Sequence, residues 1–187
     1  MTLPIVVGIT GATGVVYGVE LLKALKGLGI PTHLVMSETG MRTLGLELDM
    51  AAGDVRALAS VTHSNKDLAA AIASGSFRTA GMVVAPCSVK TLSGVANGYA
   101  ENLLIRAADV TLKERRPLVL MVRETPLHLG HLRLMTRAAE IGAIILPPMP
   151  AFYHRPETLS EVIRQGVGRA LDQLGVAHDL CRRWSGA

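Results

Sequence analysis

Apolar runs of Val, Ile, Leu and Met alternate along this chain with longer stretches in which apolar residues recur every three or four positions. The runs are "IVVGI" (5–9), "THLVMS" (32–37), "GMVVAP" (81–86), "PLVLMV" (117–122) and "AIILPP" (143–148). Their length and β-branched content predict strands. The periodic stretches predict helices over about 15–28, 38–47, 89–97, 102–115, 129–141 and 156–174. Strand following helix in this way implies βαβ units, hence a doubly wound α/β domain with a mostly parallel sheet and helices on both faces. "MVVAP" and "LVLMV" are apolar at every position, as central strands covered on both faces must be. No linker, repeat or low-complexity tract divides the chain, so residues 1–187 read as a single domain with a C-terminal tail from about 175.

Composition agrees with that picture and narrows the function. With 187 residues, 49% hydrophobic and 18% charged, the chain can bury roughly 70% of its unfolded surface. No run approaches the ~18 apolar residues of a membrane span, and "MTLPIVVGIT" lacks a signal-peptide pattern, so a cytoplasmic location is expected. The net charge of +4 is scattered and aromatic residues make up only 3%, which argues against nucleic-acid binding. Cys87 and Cys181 form no disulfide framework and no zinc spacing. His128 and His131 in "HLGH" stand three apart with no third ligand evident, so no metal is expected.

In doubly wound folds the chemistry collects after the strands. The segments there are "TGATG", "SETG", "CSVKT", "RETPLH" and "PMPAFYHRP". Gly8, Gly11 and Gly14 recur every third residue, matching neither the Walker pattern nor the usual dinucleotide fingerprint. A helix starting near Val15 would offer free N–H groups to a phosphate, although a plain strand-to-helix turn explains the glycines equally well. The second strand ends in Ser37 rather than in the acidic residue that grips a ribose, although Glu38 follows, so a mononucleotide or flavin phosphate is preferred. In "PCSVKT", Ser88 and Thr91 flank Lys90 at another helix start; a helix cap is the simpler reading of Ser88. Cys87 reads as a buried thiol sooner than a nucleophile. Arg106, Asp109 and Lys113 share one helical face, either ion-paired in solvent or converging on a phosphate.

Taken together, "GITGATG", "LVMS", "PCSVKTLSG", "RAADVTLKERRPLVL", "RETPLH" and "PPMPAFYHRP" resemble, in order and over nearly the whole chain, the flavin prenyltransferases of the UbiX family. The resemblance implies a flavodoxin-like fold, typically a homododecamer. It implies a transferase that joins a dimethylallyl group from dimethylallyl monophosphate to N5 and C6 of reduced FMN. The prenylated flavin then serves a UbiD-type decarboxylase, with ubiquinone biosynthesis the pathway the family name suggests. By position, Gly11, Ala12, Thr13, Ser37, Ser88, Val89, Lys90, Thr91 and Arg123 match FMN contacts. Tyr153 and Arg169 match the donor-phosphate site, with Arg106, Lys113 and Glu124 around it. Glu47 and the hydroxyl of Thr13, where Ser is commoner in the family, match proton-handling positions, and Trp184 matches an aromatic residue near the site.

These residue types suit the reaction that the resemblance implies. Ionising an allylic phosphate leaves negative charge that Arg, Lys and Tyr donors stabilise, and Glu124 can protonate the departing group. The allyl cation needs a dry, electron-rich surround, to which Trp184 contributes a π face. Closing the new ring requires a base for the ring proton, for which Glu47 is the candidate. Two rivals remain at this point: an FMN-dependent decarboxylase of the cysteine-decarboxylase type, and a flavin-binding carrier protein. Arg169 has its own plain alternative, a solvent-facing arginine of an amphipathic helix.

Overall fold

A computed structural model describes residues 2–184 and 186. Six strands form one sheet in the order β3-β2-β1-β4-β5-β6. They are β1 (Ile5–Ile9), β2 (Thr32–Met36), β3 (Val61–His63), β4 (Gly81–Cys87), β5 (Leu118–Val122) and β6 (Ile144–Ile145), and every neighbouring pair is parallel. Every residue of β1, β4 and β5 is buried, as their unbroken apolar runs require.

Alternation along these strands feeds two cores. Val7, Val83 and Val119 face one core and Val6, Val84 and Leu120 the other. The first is closed by α1 (Val15–Gly27), α2 (Glu38–Glu47) and α7 (Leu159–Gln173), the second by α4 (Val89–Asn97), α5 (Leu103–Lys113) and α6 (Leu129–Glu140). The doubly wound architecture is therefore as expected.

The departures are local. A short helix, α3 (Ala52–Arg56), and strand β3 occupy a region that carries no strong pattern, since Val61 and Thr62 are exposed at the sheet edge. Only Ile144 and Ile145 of "AIILPP" pair, because Pro147 and Pro148 offer no N–H to a ladder. Helix α7 starts at Leu159 rather than near 156, capped by Thr158 and Glu161 in a reciprocal box.

Consecutive crossovers run outward in opposite directions from β1 and β4, so the sheet has its switch point between those two strands. Ligands of such sheets bind beyond the carboxyl ends there. Thr10, buried just after β1, donates to the Pro86 carbonyl at 2.7 Å and accepts the Ser88 N–H at 2.8 Å. One hydroxyl thus fixes the spacing of the two loops that border the switch point.

Candidate active site

Three helices begin around one cleft of about 850 Å3 beyond β2, β3 and β4. Each begins with a polar cap that also lines it. Ser37 accepts the Gly40 N–H at 2.9 Å, Ser88 accepts the Thr91 N–H at 3.3 Å, and Asn102 accepts the Ile105 N–H at 3.1 Å. Ser37, Ser88 and Asn102 are therefore caps and cleft residues at once. Three positive helix ends aimed at one space favour a polar, anionic ligand. The volume lies in the range of small-molecule sites. Thr91 and Lys90 also line the cleft, and Val89 opens α4 behind its cap. The Lys90 ammonium is paired with Glu101 at 3.0 Å, and Lys66 with Glu38 at 2.8 Å.

The glycine turn beside this cleft is built differently from the expectation of a free phosphate cradle. A Cβ on Gly11 would lie 2.4 Å from the Thr39 Cβ, so glycine is needed there to seat the turn against the start of α2. Gly14 adopts the left-handed conformation at φ 93° and precedes α1. Its N–H donates to the Glu47 carboxylate at 2.9 Å, and the Val15 N–H donates to the same group at 3.1 Å. The first N–H groups of α1 are thus taken by a side chain from the end of α2. Thr13 is exposed and directly precedes this contact, so the chain brings Glu47 beside Thr13.

Arg123 leaves the end of β5, its N–H bonded to the Cys87 carbonyl at 3.0 Å, and its charge reaches the Tyr17 hydroxyl. Burial raises the Tyr17 hydroxyl above its ordinary pKa, against the opposing pull of Arg123. Tyr17 packs against the Cα face of Gly166, where a Cβ would come within 3.0 Å of the ring. Sequence reasoning passed over this residue. The signal available was a half-buried aromatic directly after the glycine turn in a chain with only three tyrosines.

A second group of polar residues stands on and around α7. The Gln165 amide donates to the Tyr153 hydroxyl at 3.2 Å, and the Trp184 ring meets Tyr153 edge-on at 5.7 Å. Arg169 lies one turn beyond Gln165 and pairs with Asp172 at 2.8 Å. It is half exposed and is neither free nor buried. Glu124 is exposed and accepts the Thr125 N–H at 2.9 Å.

Arg106 and Lys113 are not brought to either group within one chain. Arg106 donates to the Ala73 carbonyl at 3.2 Å and pairs with Asp109 at 2.7 Å, which is the ion-paired arrangement weighed for this face. Lys113 pairs with its neighbour Glu114 and not with Asp109. Neither residue lines the cleft.

Two residues with alternative chemistry have plain structural explanations. Cys87 is fully buried, and burial pushes its thiol up to about 12 despite the Leu92 N–H nearby. Such a thiol is not an activated nucleophile. His128 caps α6 by accepting the His131 N–H, and the two rings stack at 3.5 Å.

Comparison with known proteins agrees with this geometry. The Flavoprotein family model matches residues 2–163. The flavin prenyltransferase UbiX of Escherichia coli K12 is 61% identical over 186 residues, covering 98% of both chains. A crystal structure of AnUbiX (PadA1) in complex with FMN and dimethylallyl pyrophosphate superposes with a TM-score of 0.98 at 46% identity, covering 100% of both chains. A dodecameric FMN-dependent Ubix-like decarboxylase from Escherichia coli O157:H7 superposes at 0.95 with 51% identity, covering 98% of this chain and 100% of that one. An FMN-dependent cysteine decarboxylase, TvaF, stands at 16% identity and shares the fold alone. The similarity spans the length of the chain and both groups of polar residues, and the protein belongs to the UbiX family of flavin prenyltransferases, transferases that act on FMN with a prenyl donor.

Proposed function

We propose that the cleft at the starts of α2, α4 and α5 receives reduced FMN as prenyl acceptor, and that Tyr153 and Arg169 hold the phosphate of dimethylallyl monophosphate. The observation that carries this reading is the convergence of three capped helix starts, with Ser37, Ser88, Thr91 and Asn102, on one cleft of about 850 Å3. That donor set of hydroxyls, amide and helix ends fits a flavin mononucleotide, whose phosphate and ring edge need hydrogen-bond partners and no metal. Gly11, Ala12, Thr13, Val89, Lys90 and Arg123 border the same ligand.

Reaction then divides between the two groups of residues. Arg169 and Tyr153 stabilise the departing phosphate and so favour ionisation of the allylic carbon–oxygen bond. Glu124 supplies a proton to that phosphate. Trp184, edge-on to Tyr153, gives the allyl cation an electron-rich neighbour. Glu47, held at the start of α1 next to Thr13, removes the ring proton once the second carbon bond forms.

Arg106 and Lys113 fit this scheme as contributions from another copy of the chain. In a homododecamer such as the similar Escherichia coli O157:H7 protein forms, their face on α5 would complete a neighbour's donor site. The broad apolar exposure of Leu129, Leu132, Ile141, Phe152 and Leu159 is consistent with extensive burial between copies. Among the described residues no helix is long and apolar enough to cross a membrane, and we place the enzyme in the cytoplasm. Its product passes to a UbiD-type decarboxylase. The test is transfer of function: incubating the protein with reduced FMN and donor should activate an added apo-decarboxylase of that type. Failure to activate it, with a decarboxylase shown to accept prenylated flavin from another source, would refute the assignment.

A further inference from the structure

The carboxylate of Asp172 collects three donors. Arg169 reaches it at 2.8 Å, Arg183 at 2.7 Å and the His178 Nε2 at 3.0 Å. His178 Nδ1 accepts the Leu180 N–H at 3.1 Å, so its ring proton lies on Nε2, toward Asp172. Burial opposes the charged form of Asp172, but Arg183 and His178 outweigh it and hold the carboxyl below the ordinary aspartate range.

A second, independent observation concerns the tail itself. A Cβ on Gly168 would lie within bonding distance of the Cys181 Sγ and 2.9 Å from the His178 ring. The tail thus lies flush on α7 only because residue 168 has no side chain. The Cys181 thiol donates to the Gln165 carbonyl at 3.3 Å. Gln165, Gly168, Arg169 and Asp172 form one face of α7 at helical spacing. That face reaches Tyr153 through Gln165, carries Arg169, and pairs with Arg183, the residue before Trp184.

We propose that Asp172 is a positioning residue of the prenyl-donor site: it orients Arg169 and, through Arg183 and His178, docks the tail that carries Trp184 against Tyr153. The proposal rests on the donor-site reading given above. Asp172, His178 and Cys181 also bring ligand atoms within 4.8 Å of one another, a spacing metals use. Two guanidinium groups already occupy the carboxylate, so the cluster acts as a clasp between α7 and the tail.

The test is a double-mutant cycle on the assembled enzyme, with FMN affinity, KM and kcat for dimethylallyl monophosphate measured separately. Asp172→Asn should raise KM for the donor about tenfold or more while leaving FMN affinity unchanged. Arg169→Met should do likewise, and the double variant should lose clearly less than the two single losses combined, only the tail half of the Asp172 contact then remaining to be lost. A purely structural role would instead give additive losses and move FMN binding as well. Trp184 is the single tryptophan, so its emission and its quenching by acrylamide report tail docking independently of turnover. Gly168→Ala should reproduce the Asp172→Asn emission change, and Asp172→Glu should restore part of the donor KM. An unchanged donor KM in Asp172→Asn, or additivity with Arg169→Met, overturns the proposal. If Arg169→Met itself leaves donor KM and kcat untouched, the donor-site reading fails and this proposal fails with it. Should Asp172→Asn not assemble, Arg183→Met gives the same reading of the tail half, and unchanged Trp184 emission there refutes it.

Discussion

Glu47 and Gly14 lie 33 residues apart in sequence, yet the Glu47 carboxylate accepts the Gly14 N–H at 2.9 Å and caps the first turn of α1. A carboxylate in this place satisfies N–H groups that have no partner within the helix and meets the positive end of its dipole. It also stands immediately beside Thr13. For the proton-handling role proposed for Glu47, this one contact supplies both position and fixation.

Replacing that carboxylate by its amide separates fixation from charge. Glu47→Gln retains an acceptor for Gly14 and Val15, so FMN should bind as in the wild type. The step that needs the base should slow by about 10²-fold or more. Single-turnover absorbance traces would register this as a second phase that lags the first. A second phase at the wild-type rate removes Glu47 from the mechanism.

Arg169 is expected to serve the donor and not the flavin. Arg169→Ala should lower kcat/KM for dimethylallyl monophosphate by about 10² to 10³-fold, the usual consequence of removing a preorganised donor to developing anionic charge. FMN titration should be unaffected, because the cleft residues belong to the starts of α2, α4 and α5. Loss of FMN affinity instead would reassign the residue.

Much of this was legible in the sequence because it depended on local pattern. The strands β1, β2, β4 and β5 announced themselves through runs such as "IVVGI" and "LVLMV", which only a sheet covered on both faces accommodates. The Ser88 cap was readable from its place just before a periodic segment, whereas Ser37 read as the end of a strand and proved to cap α2 as well. Strand β3 was not, since "VTH" is three residues long and half polar at a sheet edge. The Glu47 contact was hidden by its sequence separation, and with it the fact that the start of α1 is occupied. Asp172 sits on the periodic α7, but His178 and Cys181 follow in a tail with no period, and only the close packing allowed by Gly168 brings the three together.

Cys87 gives a prediction of the opposite kind. Its thiol is buried and held near 12, so Cys87→Ala should leave prenylation within a few-fold of wild type. Alkylating reagents should leave the native Cys87 unmodified. Abolished turnover in a folded Cys87→Ala variant would revive a nucleophile role.

Acid stability should reflect the pair His33 and His63, whose ring nitrogens meet at 2.9 Å. Burial lowers both from their ordinary values, with mutual repulsion adding to it at His33 and nearby Asp67 opposing it at His63. The unfolded chain therefore takes up protons first as pH falls below about 6.5, and stability drops until the folded pair titrates too. Urea unfolding between pH 8 and 5 should show this loss. His63→Gln, which removes one of the two sites, should flatten it; an equally steep loss in that variant would point to other groups.

The central claim is that this chain transfers a dimethylallyl group to FMN. The most direct measurement is the mass of the flavin released after anaerobic incubation with reduced FMN and dimethylallyl monophosphate, with free phosphate counted in parallel. The account predicts a flavin heavier by one dimethylallyl unit and one phosphate released per flavin modified. A flavin of unchanged mass, with the donor recovered intact, would contradict it.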